Sequence, residues 1–150
     1  MIRVEGPDRK SKDAAPASLL AAQHSPTDVG RPLVAIVDDD ESVRESLPDL
    51  VRELGFAARA FSSAREFLAS DCAAETECLI LDIMMPEMTG PDLQQELRRR
   101  SRKIPIVFIT AQTSGTLRAQ MLADGAVACL IKPFSDETLL DALRSALRVH

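Results

Sequence analysis

Five polar residues of this 150-residue sequence each follow directly on an apolar run: Asp38 and Asp39 after Leu33–Val37, Asp82 after Cys78–Leu81, Thr110 after Ile104–Ile109 and Lys132 after Val127–Ile131. Short apolar runs bounded by turn residues read as strands buried on both faces, and open α/β sheets bind ligands beyond the carboxyl ends of such strands. If the strands are parallel, all five side chains meet at one edge. Three carboxylates brought together repel one another, so they either share protons or hold a cation. An all-oxygen set of this kind suits Mg²⁺, which keeps several waters and works beside phosphates. A hydroxyl and an ammonium across the same crevice supply donors for an anion. Together these are the parts of phosphoryl transfer, in which the protein positions groups and neutralises charge. Singly, each residue has an ordinary explanation: an Asp after a strand caps a helix, a Thr makes a turn, a Lys is surface charge. Their joint placement is the signal.

The elements that must carry these residues are legible in order. Met1–Arg31 mixes charges with Pro7, Pro16, Pro26 and glycines and has one short Ala/Leu run, so residues 1–31 read as a flexible leader and residues 32–150 as the folded domain. After the first strand, Asp40 is placed to cap a helix whose inner face carries Val43, Leu47, Leu50, Val51 and Leu54 and which Gly55 ends. Pro48 lies inside it and predicts a local bend. Ala57–Phe61, interrupted by Arg59, reads as an edge strand, and Ser63-x-x-Glu66 as a capping box. Gly90-Pro91 opens a helix with Leu93 and Leu97, whose last turn carries Arg98, Arg99 and Arg100. These read as charge at a helix end rather than a binding patch. Leu117, Met121 and Leu122 mark a helix that stops at Gly125, and Ser135 caps a last helix with Leu139, Leu140, Leu143 and Leu147 facing inward. Strand starts at 33, 57, 78, 104 and 127 give five β-α units. That spacing fits right-handed crossovers in a parallel, doubly wound α/β sheet.

Composition narrows the partners. Eighteen basic against 23 acidic residues leave a net charge of -5, without a basic stripe for direct nucleic-acid binding. Cys72, Cys78 and Cys129 stand at no metal-ligand spacing and read as reduced, buried thiols of a cytoplasmic protein. No apolar stretch is long enough for a membrane span or shaped like a signal peptide.

Val-Asp-Asp-Asp at 37–40, Leu-Asp-Ile-Met-Met-Pro-Glu-Met-Thr-Gly at 81–90, Ile-Thr-Ala at 109–111 and Lys-Pro-Phe at 132–134 resemble the receiver domain of bacterial two-component response regulators. The resemblance runs from about Pro32 to the C-terminus. It implies a flavodoxin-like (βα)5 fold with strand order 2-1-3-4-5. It also implies that Asp82 accepts a phosphoryl group from the phosphohistidine of a sensor histidine kinase or a phosphotransfer protein. Asp39, Asp82 and the backbone carbonyl of Met84 would ligate Mg²⁺, with Asp38 acting mainly through a bound water. Thr110 and Lys132 would contact the phosphoryl group, and the Lys132-Pro133 bond would be cis. Met84 and Gln112 occupy the positions at which relatives tune the lifetime of the acyl phosphate. The fourth helix, fifth strand and fifth helix form the face through which a homodimer would assemble.

The sequence departs from the family at Cys129, where an aromatic residue usually stands three positions before the Lys and reports phosphorylation by turning inward. A thiol has neither the volume nor the hydroxyl to do so. With no effector domain after the last helix, the expectation is a stand-alone receiver that signals by docking or by passing phosphate on. The alternatives are a phosphorylation-independent interaction module, or a receiver cut from a DNA-binding transcriptional regulator. Two other chemistries fit less well. A haloacid-dehalogenase-type phosphatase needs a second Asp where Met84 stands, and a nucleotide site needs a glycine-rich loop where Asp38-Asp39-Asp40 stands.

Overall fold

The computed structural model describes residues 30–111 and 115–148. The expected leader falls on residues 1–31, nearly all of it outside the described residues, as does Gln112. Among the described residues, five strands, β1 (Leu33–Val37), β2 (Ala57–Phe61), β3 (Cys78–Asp82), β4 (Ile106–Thr110) and β5 (Ala128–Ile131), alternate with five α-helices, α1 (Glu41–Glu53), α2 (Ala64–Ala69), α3 (Gly90–Arg99), α4 (Gly115–Ala123) and α5 (Asp136–Arg148). All neighbouring strands are parallel, in the order β2-β1-β3-β4-β5. This is the doubly wound parallel sheet that the sequence pattern predicts, in the flavodoxin-like order that the family resemblance implies. None of the described helices is long and apolar enough to cross a membrane.

Alternation along the strands divides the core in two. Ala35, Val37, Leu79, Leu81 and Phe108 face α2, α3 and α4 through Phe67, Leu93, Leu97 and Met121. Val34, Ile36, Ile80 and Ile109 face α1 and α5 through Leu47, Val51, Leu139 and Leu143. Every residue of β1, β3 and β4 is buried, as strands covered by helices on both faces must be. Strand β2 lies at the edge, where half-buried Arg59 is tolerated: its guanidinium lies 5.6 Å from the Phe61 ring centroid and reaches the Cys72 sulfur.

Local chemistry sets most element boundaries. Asp40 accepts from the Ser42 N–H at 2.9 Å and so caps α1, which continues unbroken through buried Pro48 to Glu53. Strand β4 starts two residues later than the apolar run suggests, because Pro105 has no N–H for the ladder and contributes only its carbonyl, to Leu79 N–H. Ser63 caps α2 by accepting from Glu66 N–H, but the Glu66 carboxylate reaches back to Ser62 rather than Ser63, so half of the expected capping box is displaced by one residue. The complete box lies at Thr89 and Asp92, ahead of α3. A 3-10 turn at Asp71–Glu75, held in part by the Thr76 hydroxyl on the Cys72 carbonyl, was not foreseen.

Gly90 joins the fold to the end of β3. Its N–H donates to the Ile83 carbonyl at 3.0 Å. A Cβ at this position would stand 2.6 Å from the Asp82 carbonyl oxygen and 2.9 Å from Phe108 Cε1. Backbone on one side and a packed ring on the other leave nothing able to yield. Gly55, by contrast, has φ +108 with open space around it, so Ala there meets only the left-handed backbone cost. Urea denaturation should therefore find Gly90→Ala destabilising by about 3 kcal/mol and Gly55→Ala by about 1 kcal/mol. Equal costs would show that the close approach at Asp82 does not govern the packing of α3.

Candidate functional site

The carboxyl ends of β1, β3, β4 and β5 converge as the parallel topology requires. Asp38 follows β1 with no exposed surface. Its Oδ1 accepts from Asp40 N–H at 2.9 Å and its Oδ2 from Lys132 Nζ at 3.0 Å. Its backbone is pinned as well, because its N–H donates to the Phe61 carbonyl and its carbonyl accepts from Arg44 Nη1 at 3.1 Å. Asp39 is exposed at the rim. Asp40 has turned away to its cap, and the two Ser42 hydrogen bonds hold its carboxyl below the usual range. The run of three acids thus divides into one buried anchor, one open carboxylate and one helix cap.

Asp82 ends β3 with only 6% of its surface exposed, and its Oδ1 accepts from Met84 N–H at 3.2 Å. Burial, and after it the negative charge of Asp38, push its carboxyl up to about 7, while the Lys132 ammonium and the Met84 N–H pull the other way. Ligand oxygens of Asp38, Asp39 and Asp82 lie within 4.8 Å of one another. One ammonium faces these three carboxylates, so the cluster keeps excess negative charge in a partly desolvated place. Its donor set is all oxygen, with an open carboxylate at the mouth, which fits a hard divalent cation such as Mg²⁺.

Thr110 ends β4 and is buried, and its carbonyl accepts from Lys132 N–H at 2.8 Å, which ties the ends of β4 and β5 together. The Lys132-Pro133 peptide is cis, as expected. Met84 lies at the lip with 57% of its surface exposed.

Cys129 belongs elsewhere. It is buried in the layer between the sheet and α4, in a cluster with Phe108 and Met121, and burial pushes its thiol up. Cys72 and Cys78 are likewise buried free thiols.

Sequence reading missed two supports of the site. Arg44 buttresses the Asp38 carbonyl; its place four residues after the cap, on a helix whose side chains lean toward the N-terminus, was an available signal. The Lys132–Asp38 ion pair spans 94 residues and had no local signature.

The geometry agrees with comparisons to known proteins. Residues 34–144 match the model of the response regulator receiver domain. The response regulator protein TodT of Pseudomonas putida is 41% identical over 117 residues, covering 78% of this chain and 52% of that protein. Among solved structures, the response regulator StyR superposes with a TM-score of 0.72 at 42% identity, covering 80% of this chain and 61% of that one. The FixJ-N structure superposes with a TM-score of 0.70 at 34% identity, covering 78% and 94%. The chain thus spans about half the length of the curated relatives it matches. With its fold, its motifs and most of its length in agreement, the chain belongs to the family of response regulator receiver domains.

Proposed function

We propose that this receiver accepts a phosphoryl group on Asp82 from the phosphohistidine of a sensor histidine kinase or a phosphotransfer protein, in a Mg²⁺-dependent step in the cytoplasm. The observation that carries the reading is the convergence of Asp38, Asp39 and Asp82 within 4.8 Å beside Lys132. Asp39, Asp82 and the Met84 carbonyl are the groups that would hold the cation, with Asp38 behind them. When bound, the cation supplies the positive charge that lets an anionic carboxylate approach an anionic phosphoryl group.

The side chains divide the remaining work. A carboxylate oxygen of Asp82 forms the new P–O bond as the P–N bond to the donor imidazole breaks, and the bonding pair leaves with the imidazole. An acyl phosphate remains on Asp82. Lys132, held 3.0 Å from Asp38 Oδ2, is placed to shift toward the incoming phosphoryl oxygens, and the Thr110 hydroxyl offers them a donor. Met84 N–H, already on Asp82 Oδ1, fixes the orientation of the carboxylate. The chain is a phosphoacceptor whose only chemistry is on itself.

For output, Cys129 supports docking or onward phosphotransfer through backbone shifts near Thr110 and Lys132 rather than an aromatic flip. A homodimer through α4, β5 and α5 is compatible with this. The half-length match to relatives favours a second reading, that this is the receiver part of a DNA-binding regulator. The mass of the protein isolated from its own cells separates the two: that of 150 residues supports the first, and about twice that the second.

Acetyl phosphate with Mg²⁺ should add one phosphoryl group to the protein by intact mass, and Asp82→Asn or a chelator should abolish the adduct. An adduct that persists on the Asn variant overturns the assignment. The exposed thioether of Met84 gives a hydrolytic water no hydrogen bond, so Met84→Asn should shorten the acyl-phosphate lifetime by about threefold or more. An unchanged or longer lifetime contradicts that role.

A further inference from the structure

At the pole opposite the acidic crevice, where α3 ends and β4 begins, the chain reads Arg98-Arg99-Arg100-Ser101-Arg102-Lys103: five cations in a protein of net charge -5. The first three have local partners. Arg99 and Arg100 both bond Glu96, and Arg98 donates to the Asp124 carbonyl at the end of α4. The expectation of helix-end charge holds for them. It does not extend to Arg102 and Lys103, which are exposed and have no ion-pair partner among the described residues.

The backbone that leads into these two cations is fixed. The Arg102 N–H donates to the Leu97 carbonyl at 2.8 Å and the Ser101 N–H to the Arg98 carbonyl at 2.9 Å, the paired bonds of a helix-terminating turn with Ser101 at φ 59. Two adjoining recesses share Leu97 and Arg102. One, of about 320 Å³, is lined by Leu97, Ile104 and Ile106 and rimmed by Arg98, Arg102 and Lys103. The other, of about 260 Å³, is mixed, lined by Leu68, Ala73 and Leu97 together with Ser70, Asp71, Arg100 and Arg102.

We infer that this basic turn and its two flanking recesses form a docking surface for an acidic, amphipathic peptide segment of a partner protein. The ligand's carboxylates would meet Arg102 and Lys103, and its apolar side chains would enter the recesses on either side. A charged ridge between a mainly apolar hollow at Leu97, Ile104 and Ile106 and a mixed one at Leu68 and Ala73 matches an alternating ligand, for which neither charge nor apolar area alone would suffice. Nucleic acid fits less well, because no aromatic residue lines either recess and bases would have no face on which to stack. The surface lies apart from Asp82, so a partner could occupy it in either phosphorylation state.

The test is an amide-shift titration of the ¹⁵N-labelled full chain with a synthetic peptide of about twelve residues alternating Glu and Leu, alongside its Lys/Leu counterpart, a short DNA duplex and inorganic phosphate. Shifts for the Glu/Leu peptide should centre on Leu97–Ile106 and Leu68–Ala74 and should weaken as NaCl rises from about 50 to about 300 mM. Arg102→Glu with Lys103→Glu should lower affinity by about tenfold or more while phosphorylation by acetyl phosphate is retained, which shows that the variant is folded. Absent shifts, affinity that survives the double variant, or equal shifts with the Lys peptide, DNA or phosphate would overturn the proposal.

Discussion

Like-charge crowding at the carboxyl edge of the sheet is the constraint on which the rest of the structure depends. Parallel topology forces the ends of β1 and β3 together, and with them Asp38 and Asp82, one fully buried and the other nearly so. Lys132 answers one of these charges, and the Asp40 and Met84 N–H groups each give one hydrogen bond. What remains is a carboxyl at Asp82 pushed up to about 7 by burial and by Asp38. A protein selected only for stability would have no reason to keep such a group. Added positive charge would relieve this tension, and an all-oxygen set of carboxylates suits a hard divalent cation.

The surrounding fold keeps that crowded edge from relaxing. Asp38 is fixed through its N–H, its carbonyl and both carboxylate oxygens, by contacts from Phe61, Arg44, Asp40 and Lys132. Asp82 is backed by Gly90, whose lack of a side chain lets α3 start against the strand end. Apolar layers on both faces of the sheet then hold the strand ends in register, so the cluster cannot spread without breaking core contacts.

Much of this was legible in the sequence because it is local. Apolar runs, broken by Arg59 only in the edge strand β2, marked the strands, and the polar residues ending β1, β3, β4 and β5 marked their places at the edge. Ser135 and Asp40 behaved as the caps their types suggest. What the sequence hid depends on distant or competing contacts. Pro105 shortened β4 by withholding one donor, and Glu66 chose Ser62 over Ser63. Asp40 could be read as the cap, but the division of Asp38 and Asp39 into buried anchor and open carboxylate could not be read from two identical letters, because it depends on Lys132, far along the chain.

The most direct test of the account is the pH dependence of unfolding in chelator, wild type against Asp82→Asn. A folded carboxyl near 7, raised above the unfolded value of about 4, binds more protons folded than unfolded between those limits. Metal-free wild type should therefore lose stability relative to the Asn variant as pH rises from about 5 to about 7, by about 2 kcal/mol, and the gap should level off above that. Saturating Mg²⁺ should narrow it. A gap that stays constant across this range, with or without Mg²⁺, would contradict the claim that crowded charge at Asp82 drives the site.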